Sequence, residues 1–219
     1  MTGVAMKRGI FLLLAVLAFL PSSSSATGRW AAAGQSPFVS SSAPPVEILA
    51  PDGRGALRET ADGLAFVGEH TTVLQEVLSP PSLTEVLWSP DSKAFVVNAS
   101  DGGVIGTWDA YYYSIDAEGR PVSRNLADLL APMIQKFPRC DDPEKANIGA
   151  VGWLDGGKDL LIVAEVPPHS SCRNMGAIRG FRVAVASWRV VGEISEAKLR
   201  QDWAKVLGPR FAAEQSKAK

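Results

Sequence analysis

"VLWSPDSKAFVVNAS", residues 86–100, holds a tryptophan, a Pro-Asp turn and then an apolar run, and "VGWLDGGKDLLIVAE", residues 151–165, repeats that plan. Trp88 falls on Trp153 and Lys93 on Lys158, each pair 65 residues apart. In both copies a five-residue step leads from one apolar segment through a turn into the next, which predicts a β-hairpin. Each copy continues through a long loop into a third segment, "YYYSID" at 111 and "FRVAVASW" at 181, and a fourth follows near "RPVSRNL" and "RVVGEIS". The repeat predicts two units of four antiparallel strands, at 84–125 and 148–194.

Upstream, from Val46, the same signals continue. "PDG" at 51, "ADG" at 61, "SDGG" at 100 and "AEG" at 117 mark reversals, because Asp tolerates turn geometry and Gly supplies positive φ. Short runs such as "VEIL", "GLAFVG" and "TTVLQEVL" lie between the early ones and predict a partial sheet over 46–78. Downstream, "SEAKLRQDWAKVLG" places Leu199, Trp203, Val206 and Leu207 at helical spacing behind a possible cap at Ser195, predicting a helix over 196–207. "NLADLLAPMIQKF" carries a similar stripe, with Pro132 restricting it to a short or bent helix.

The motif "LWSPDSKAFVVNAS…YYYSIDAEGRPVSRNLA" resembles the TolB-like and WD-like β-propeller repeat, whose blades carry a W-S-P-D-G-K run ahead of an apolar strand. Ser92 stands where that repeat has Gly, and the second copy, "GWLDGGKDLLIV", has lost Ser-Pro. The resemblance implies structural roles for Trp88, Pro90, Asp91 and Lys93, and by the same register for Trp153 and Lys158. Propellers commonly close with four or more blades. Two blades and a partial sheet therefore predict a mainly β fold that stays open, with a C-terminal helix.

The chain has 219 residues, 46% of them hydrophobic, enough for one sizeable core. "MKRGIFLLLAVLAFLPSSSSA", ending at Ala26, has the basic start, apolar stretch and small-residue site of a cleaved signal peptide, so 1–26 is excluded from the fold. Its 12-residue apolar stretch, Gly9 to Leu20, is too short to span a bilayer, and no membrane span is expected after its removal. Residues 27–45, "TGRWAAAGQSPFVSSSAPP", read as a disordered leader in which Trp30 and Phe38 are idle. Losing Lys7 and Arg8 from 22 basic residues leaves 20 against 23 acidic ones. No basic stripe suits nucleic acid. The expected location is periplasmic or secreted.

Two cysteines in an exported chain point to a disulfide. Cys140 and Cys172 lie at matched distances on either side of the "DGGK" turn, so both should emerge at one end of that hairpin, and a bond there is worth roughly 3 to 4 kcal/mol in the chain-entropy model. A zinc site drawing on His169, both cysteines and Asp141 or Asp142 is the weaker alternative.

Loops 100–110 and 167–180 hold equivalent positions in the two units, and together they bring Asp101, Trp108 and Asp109 toward His169, Arg173, Asn174 and Arg179. Charge, an aromatic face and hydrogen-bond donors on loops of a rigid scaffold are the makings of a binding edge. Catalytic patterns are thin. Ser195 and Lys198 have Ser-x-x-Lys spacing without companion motifs, Ser170 lacks a nucleophile elbow beside His169 and Asp101, and "DGGVIG" is followed by no helix. The expectation is an exported binding or interaction module without cofactor or metal, its protein or small-molecule partner open. The alternative is a small secreted hydrolase using His169.

Overall fold

The structure, a computed structural model, describes Trp30, residues 47–79, 83–102, 107–141 and 144–204, and Leu207. The signal-peptide reading, Phe38 and Asp142 fall outside the described residues. Three four-stranded antiparallel sheets follow one another along the chain, each a meander of consecutive strands. Sheet I comprises β1 (Glu47–Leu49), β2 (Ala56–Thr60), β3 (Gly63–Val67) and β4 (Thr71–Val73). Sheet II comprises β5 (Thr84–Trp88), β6 (Ala94–Ser100), β7 (Trp108–Ile115) and β8 (Pro121–Asn125). Sheet III comprises β9 (Asn147–Leu154), β10 (Asp159–Glu165), β11 (Ile178–Ala184) and β12 (Arg189–Ile194). Helix α1 (Leu126–Ile134) links sheets II and III, and α2 (Glu196–Asp202) follows β12.

The first sheet is thus complete in four strands, where the sequence had predicted a partial one. "TTVLQEVL" supplies only a three-residue strand, after which Leu74 and Val77 drop into the core. The C-terminal helix is shorter than predicted, ending at Asp202 with Trp203 as its C-cap. Ser195 does cap it, its side chain accepting from the Lys198 N–H.

Sheet II lies between the other two. Alternate residues leave its strands on opposite faces, so Val86, Phe95, Val97 and Tyr113 join Ile48, Leu57, Leu64 and Phe66 of sheet I in one cluster. Their neighbours Leu87, Ala94, Val96 and Tyr112 join Ile148, Leu160, Ile162 and Phe181 of sheet III in the other. This double burial explains the unbroken apolar run "AFVV", and every residue of β6 is buried. The far side of sheet III is covered by α2, whose Leu199 fills the space where Gly180 has no side chain.

The tryptophans of the repeat bridge these layers. The half-buried Trp88 donates its indole N–H to the Ile48 carbonyl of sheet I at 3.3 Å, and Trp153 donates to the Leu87 carbonyl of sheet II at 3.3 Å. In each case a tryptophan near the end of a first strand reaches back to the first strand of the preceding sheet. Sheet I shows the same plan in "ILAPDG", with Leu49 in the tryptophan's place; no described residues form a sheet before it, and Leu49 is 60% exposed.

The turn after each of these positions takes a positive φ at Gly53 (71°), Ser92 (60°) and Gly157 (97°). Glycine adopts that region without steric penalty. Ser92 occupies it while its Oγ accepts the Asp52 N–H at 3.0 Å, tying the turn of sheet II to that of sheet I. Within the turn Asp91 accepts from the Ser89 hydroxyl at 2.7 Å and the Lys93 N–H at 3.1 Å. The Ser89 hydrogen bond, foremost, holds the Asp91 carboxyl below its usual range.

Trp30 departs most from the sequence reading. It is fully buried, its backbone N–H donating to Glu85 Oε2 at 3.0 Å and its ring meeting Trp108 edge-on at 5.9 Å. A Cβ on Gly149 would lie 2.1 Å from the Trp30 ring, so β9 accommodates the indole only because residue 149 has no side chain. The leader looked idle because its composition is poor in large apolar groups; one indole in a site already shaped by sheets II and III is enough to anchor it at that point.

Candidate functional site

The residues singled out from the sequence separate into a buried group, a structural group and a cleft. Trp108 is not in a loop: it opens β7, is buried, and donates its backbone N–H to Asn147 Oδ1 at 3.0 Å. It is core, and contributes no aromatic face to solvent. Asp101 closes the loop that precedes it, accepting from the Thr107 N–H at 3.1 Å and from the Thr107 hydroxyl.

Arg173, Asn174 and Arg179 tie two pieces of chain together. Asn174 accepts the Arg139 N–H at 2.9 Å and returns its amide to the Phe137 carbonyl at 2.9 Å. Arg173 pairs with Asp141 at 3.3 Å, and Arg179 lies 4.9 Å over the Phe137 ring. Between them Cys140 and Cys172 form the expected disulfide. With both sulfurs bonded to each other, the zinc alternative has no thiolates to use, and neither His169 nor Asp141 joins any gathering of metal-ligating groups among the described residues. His169 is exposed on a turn, and Ser170 beside it donates its hydroxyl to the Pro167 carbonyl at 2.6 Å. Lys198, the partner of Ser195 in the Ser-x-x-Lys pattern, instead pairs with Asp202 at 3.3 Å.

Asp109 stands apart. It opens into a cleft of about 660 Å³ between β7, α1 and the segment 144–146. The strand-to-helix junction builds this wall: Asn125 ends β8 and caps α1, accepting the Ala127 N–H at 2.7 Å. A capping carboxamide at a strand end lets the chain turn into a helix without an intervening loop. Asp128 in the first turn and Pro132 one turn later both line the cleft, together with Ala131 and Ile134. Glu144 and Lys145 close the far side.

The electrostatics of this cleft are unbalanced. Burial foremost, with the charges of Asp128 and Asp101 adding to it, raises the Asp109 carboxyl above its ordinary value, while Lys145 opposes the rise. Asp109 remains accessible to solvent, so the effect is partial desolvation at a cleft wall and not enclosure. The phenol of Tyr111 is raised too, chiefly by burial and then by Asp109, Glu76 and Asp128. A carboxylate whose ionised form is disfavoured gains from a cation placed beside it.

Asp128, Glu144 and Lys145 were missed from sequence. The stripe through Leu126 and Leu130 correctly marks the buried face of α1. That Asp128 on the other face meets Asp109 depends on how the helix lies across β7, which no local pattern encodes. A second groove, of about 450 Å³, crosses β1, β5 and β9 and is lined by Ile48, Leu49, Leu87, Trp88 and Trp153 without a charged side chain. It offers apolar surface and no orienting group.

No protein-family model, curated protein or solved structure matches this chain. Among the described residues no helix is long and apolar enough to cross a membrane.

Proposed function

We propose that the chain is an exported binding module, an open stack of three propeller-type blades that receives a cationic group in the cleft between β7 and α1. The observation that carries this reading is Asp109: its carboxyl is raised by burial and by Asp128 and Asp101, inside a cleft with apolar walls at Ala131 and Ile134. The chemistry suits an ammonium or guanidinium on a short apolar stem, as on a basic side chain of a partner protein or a small organic cation. The charge would offset the disfavoured carboxylate and the stem would pack on the helix. Lys145 would help to orient such a ligand by repelling its charged end toward Asp109. Support for export comes from the Cys140–Cys172 disulfide, a bond that persists in oxidising compartments.

Titration of isotopically labelled protein with n-butylguanidinium at pH 7 tests this. The expected result is a set of amide shifts confined to Asp109, Asp128 and residues 144–146, abolished in Asp109→Asn. Binding needs ionised Asp109. Since its pKa is raised, affinity should fall on acidification at a higher pH than an ordinary carboxylate, near 4, would give. The asparagine variant should stay fully folded at pH 7, because it removes a charge that the folded state disfavours. Shifts scattered over the surface, or unchanged in Asp109→Asn, would sink the reading.

A further inference from the structure

The disulfide joins the segment after α1 to the loop between β10 and β11, and much besides sulfur holds these pieces together. The Arg173 N–H donates to the Arg139 carbonyl at 2.9 Å, and the Arg139 N–H donates to Asn174 Oδ1 at 2.9 Å. On the other flank Glu144 Oε1 accepts from the Ser171 N–H at 3.0 Å and the Ser171 hydroxyl at 2.8 Å. Each cysteine is bracketed by neighbours that hydrogen bonds fix independently of the disulfide. Cutting the bond therefore leaves two thiols side by side. Glu144 is the third member of the group, for one of its oxygens and both sulfurs lie within 4.8 Å of one another.

We infer that, once reduced by a dithiol, this corner becomes a site for a thiophilic divalent cation such as Zn²⁺, held by the thiolates of Cys140 and Cys172 and the carboxylate of Glu144. The step balances. The dithiol gives two electrons and two protons to the sulfurs and becomes a disulfide itself, and the cation displaces those two protons when it binds. With metal–sulfur bonds of about 2.3 Å, a tetrahedral centre needs the sulfurs roughly 3.7 Å apart, a separation that side-chain rotation and a small parting of the two segments supply. Three protein ligands leave the fourth position to water. Two sulfurs and one carboxylate select zinc-like ions over Mg²⁺ or Ca²⁺, which prefer oxygen throughout. Cys140, half-buried, gives a reductant its approach, while Cys172 is buried beneath it.

The test uses the full chain, reduced under anaerobic conditions and freed of reductant. Near-ultraviolet circular dichroism should match that of the oxidised protein, and Co²⁺ should bind one to one with a thiolate-to-metal absorption band that Zn²⁺ displaces. Oxidised protein should show no band. Cys140→Ser should lose it, and Glu144→Gln should weaken Zn²⁺ by about tenfold or more, a loss that even groups outside the ligand set can produce. Loss of the native dichroism on reduction would show that the hydrogen bonds do not hold the thiols and would overturn the inference. So would a folded reduced protein without the band, or a band that survives in Cys140→Ser.

Discussion

The seam between sheets I and II and the seam between sheets II and III share one contact, an indole N–H donated to a first-strand carbonyl of the preceding sheet. Beyond it they are built from different materials. The first seam is an aromatic stack in which Phe95 lies 4.8 Å from Tyr113, 4.9 Å from Trp88 and 5.9 Å from Phe66. Besides the indole bond, its polar contacts among the described residues lie at the rim, where Ser92 accepts the Asp52 N–H and Glu76 accepts from Ser123 and Tyr113. The second seam carries polar groups in its interior. Asn98 is fully buried and clamps the Ala150 backbone, accepting its N–H at 2.8 Å and donating to its carbonyl at 2.9 Å, and it also donates to Glu85. A second buried pair, Asn147 with Glu165, takes up the Trp108 N–H.

The two materials specify different things. Apolar contact is non-directional and fixes how deeply two sheets pack, whereas a carboxamide bonded to both backbone groups of one residue fixes which residue faces which. Val151 is the extra residue where β9 shifts register against β10, next to the Ala150 held by Asn98. The seam with polar register is also the one that carries the disulfide-bonded loop and the cleft.

Four substitutions probe this contrast, from the largest expected effect to the smallest. Phe95→Ala removes the centre of the aromatic stack and should cost ~3 to 5 kcal/mol in urea unfolding; a loss under about 1 kcal/mol would mean that the first seam is not held by that ring. Asn98→Ala leaves Glu85 and the Ala150 peptide short of partners and should cost ~2 to 3 kcal/mol. A near-neutral result would deny the carboxamide its registering role. Trp88→Phe and Trp153→Phe remove the shared indole N–H and part of the ring while keeping an aromatic side chain, and each should lose ~1 to 2 kcal/mol. Losses that differ widely between the two would break the equivalence from which the comparison starts.

The repeat was legible because its residues act locally: a turn that needs Asp91 and a positive φ, and strands whose apolar runs announce burial on both faces. The third copy escaped notice because "ILAPDG" has Leu49 where the other two have tryptophan, and a lone Pro-Asp-Gly reads only as a turn. Trp108 was misplaced for a related reason. The strand begins at Trp108 itself, three residues before the "YYYSID" that marks it, and the ring meets Trp30 while the backbone N–H goes to Asn147, neither of which is near it in sequence. The disulfide was predictable from arithmetic along one hairpin. The cleft was not, because Asp109, Asp128 and Lys145 meet only through the path of α1.

Trp30 sets a timetable for this chain. Each sheet is made of consecutive strands and can pair as soon as its own stretch has been synthesised. Trp30 reaches ahead to all of this: its backbone bond goes to Glu85, 55 residues ahead, and its ring waits for Trp108 and then for Gly149. An indole made before any sheet exists can take its place only after the third has begun to form. Assembling this core therefore includes the capture of a residue made before any of its sheets, which joins the start of the chain to the seam between sheets II and III.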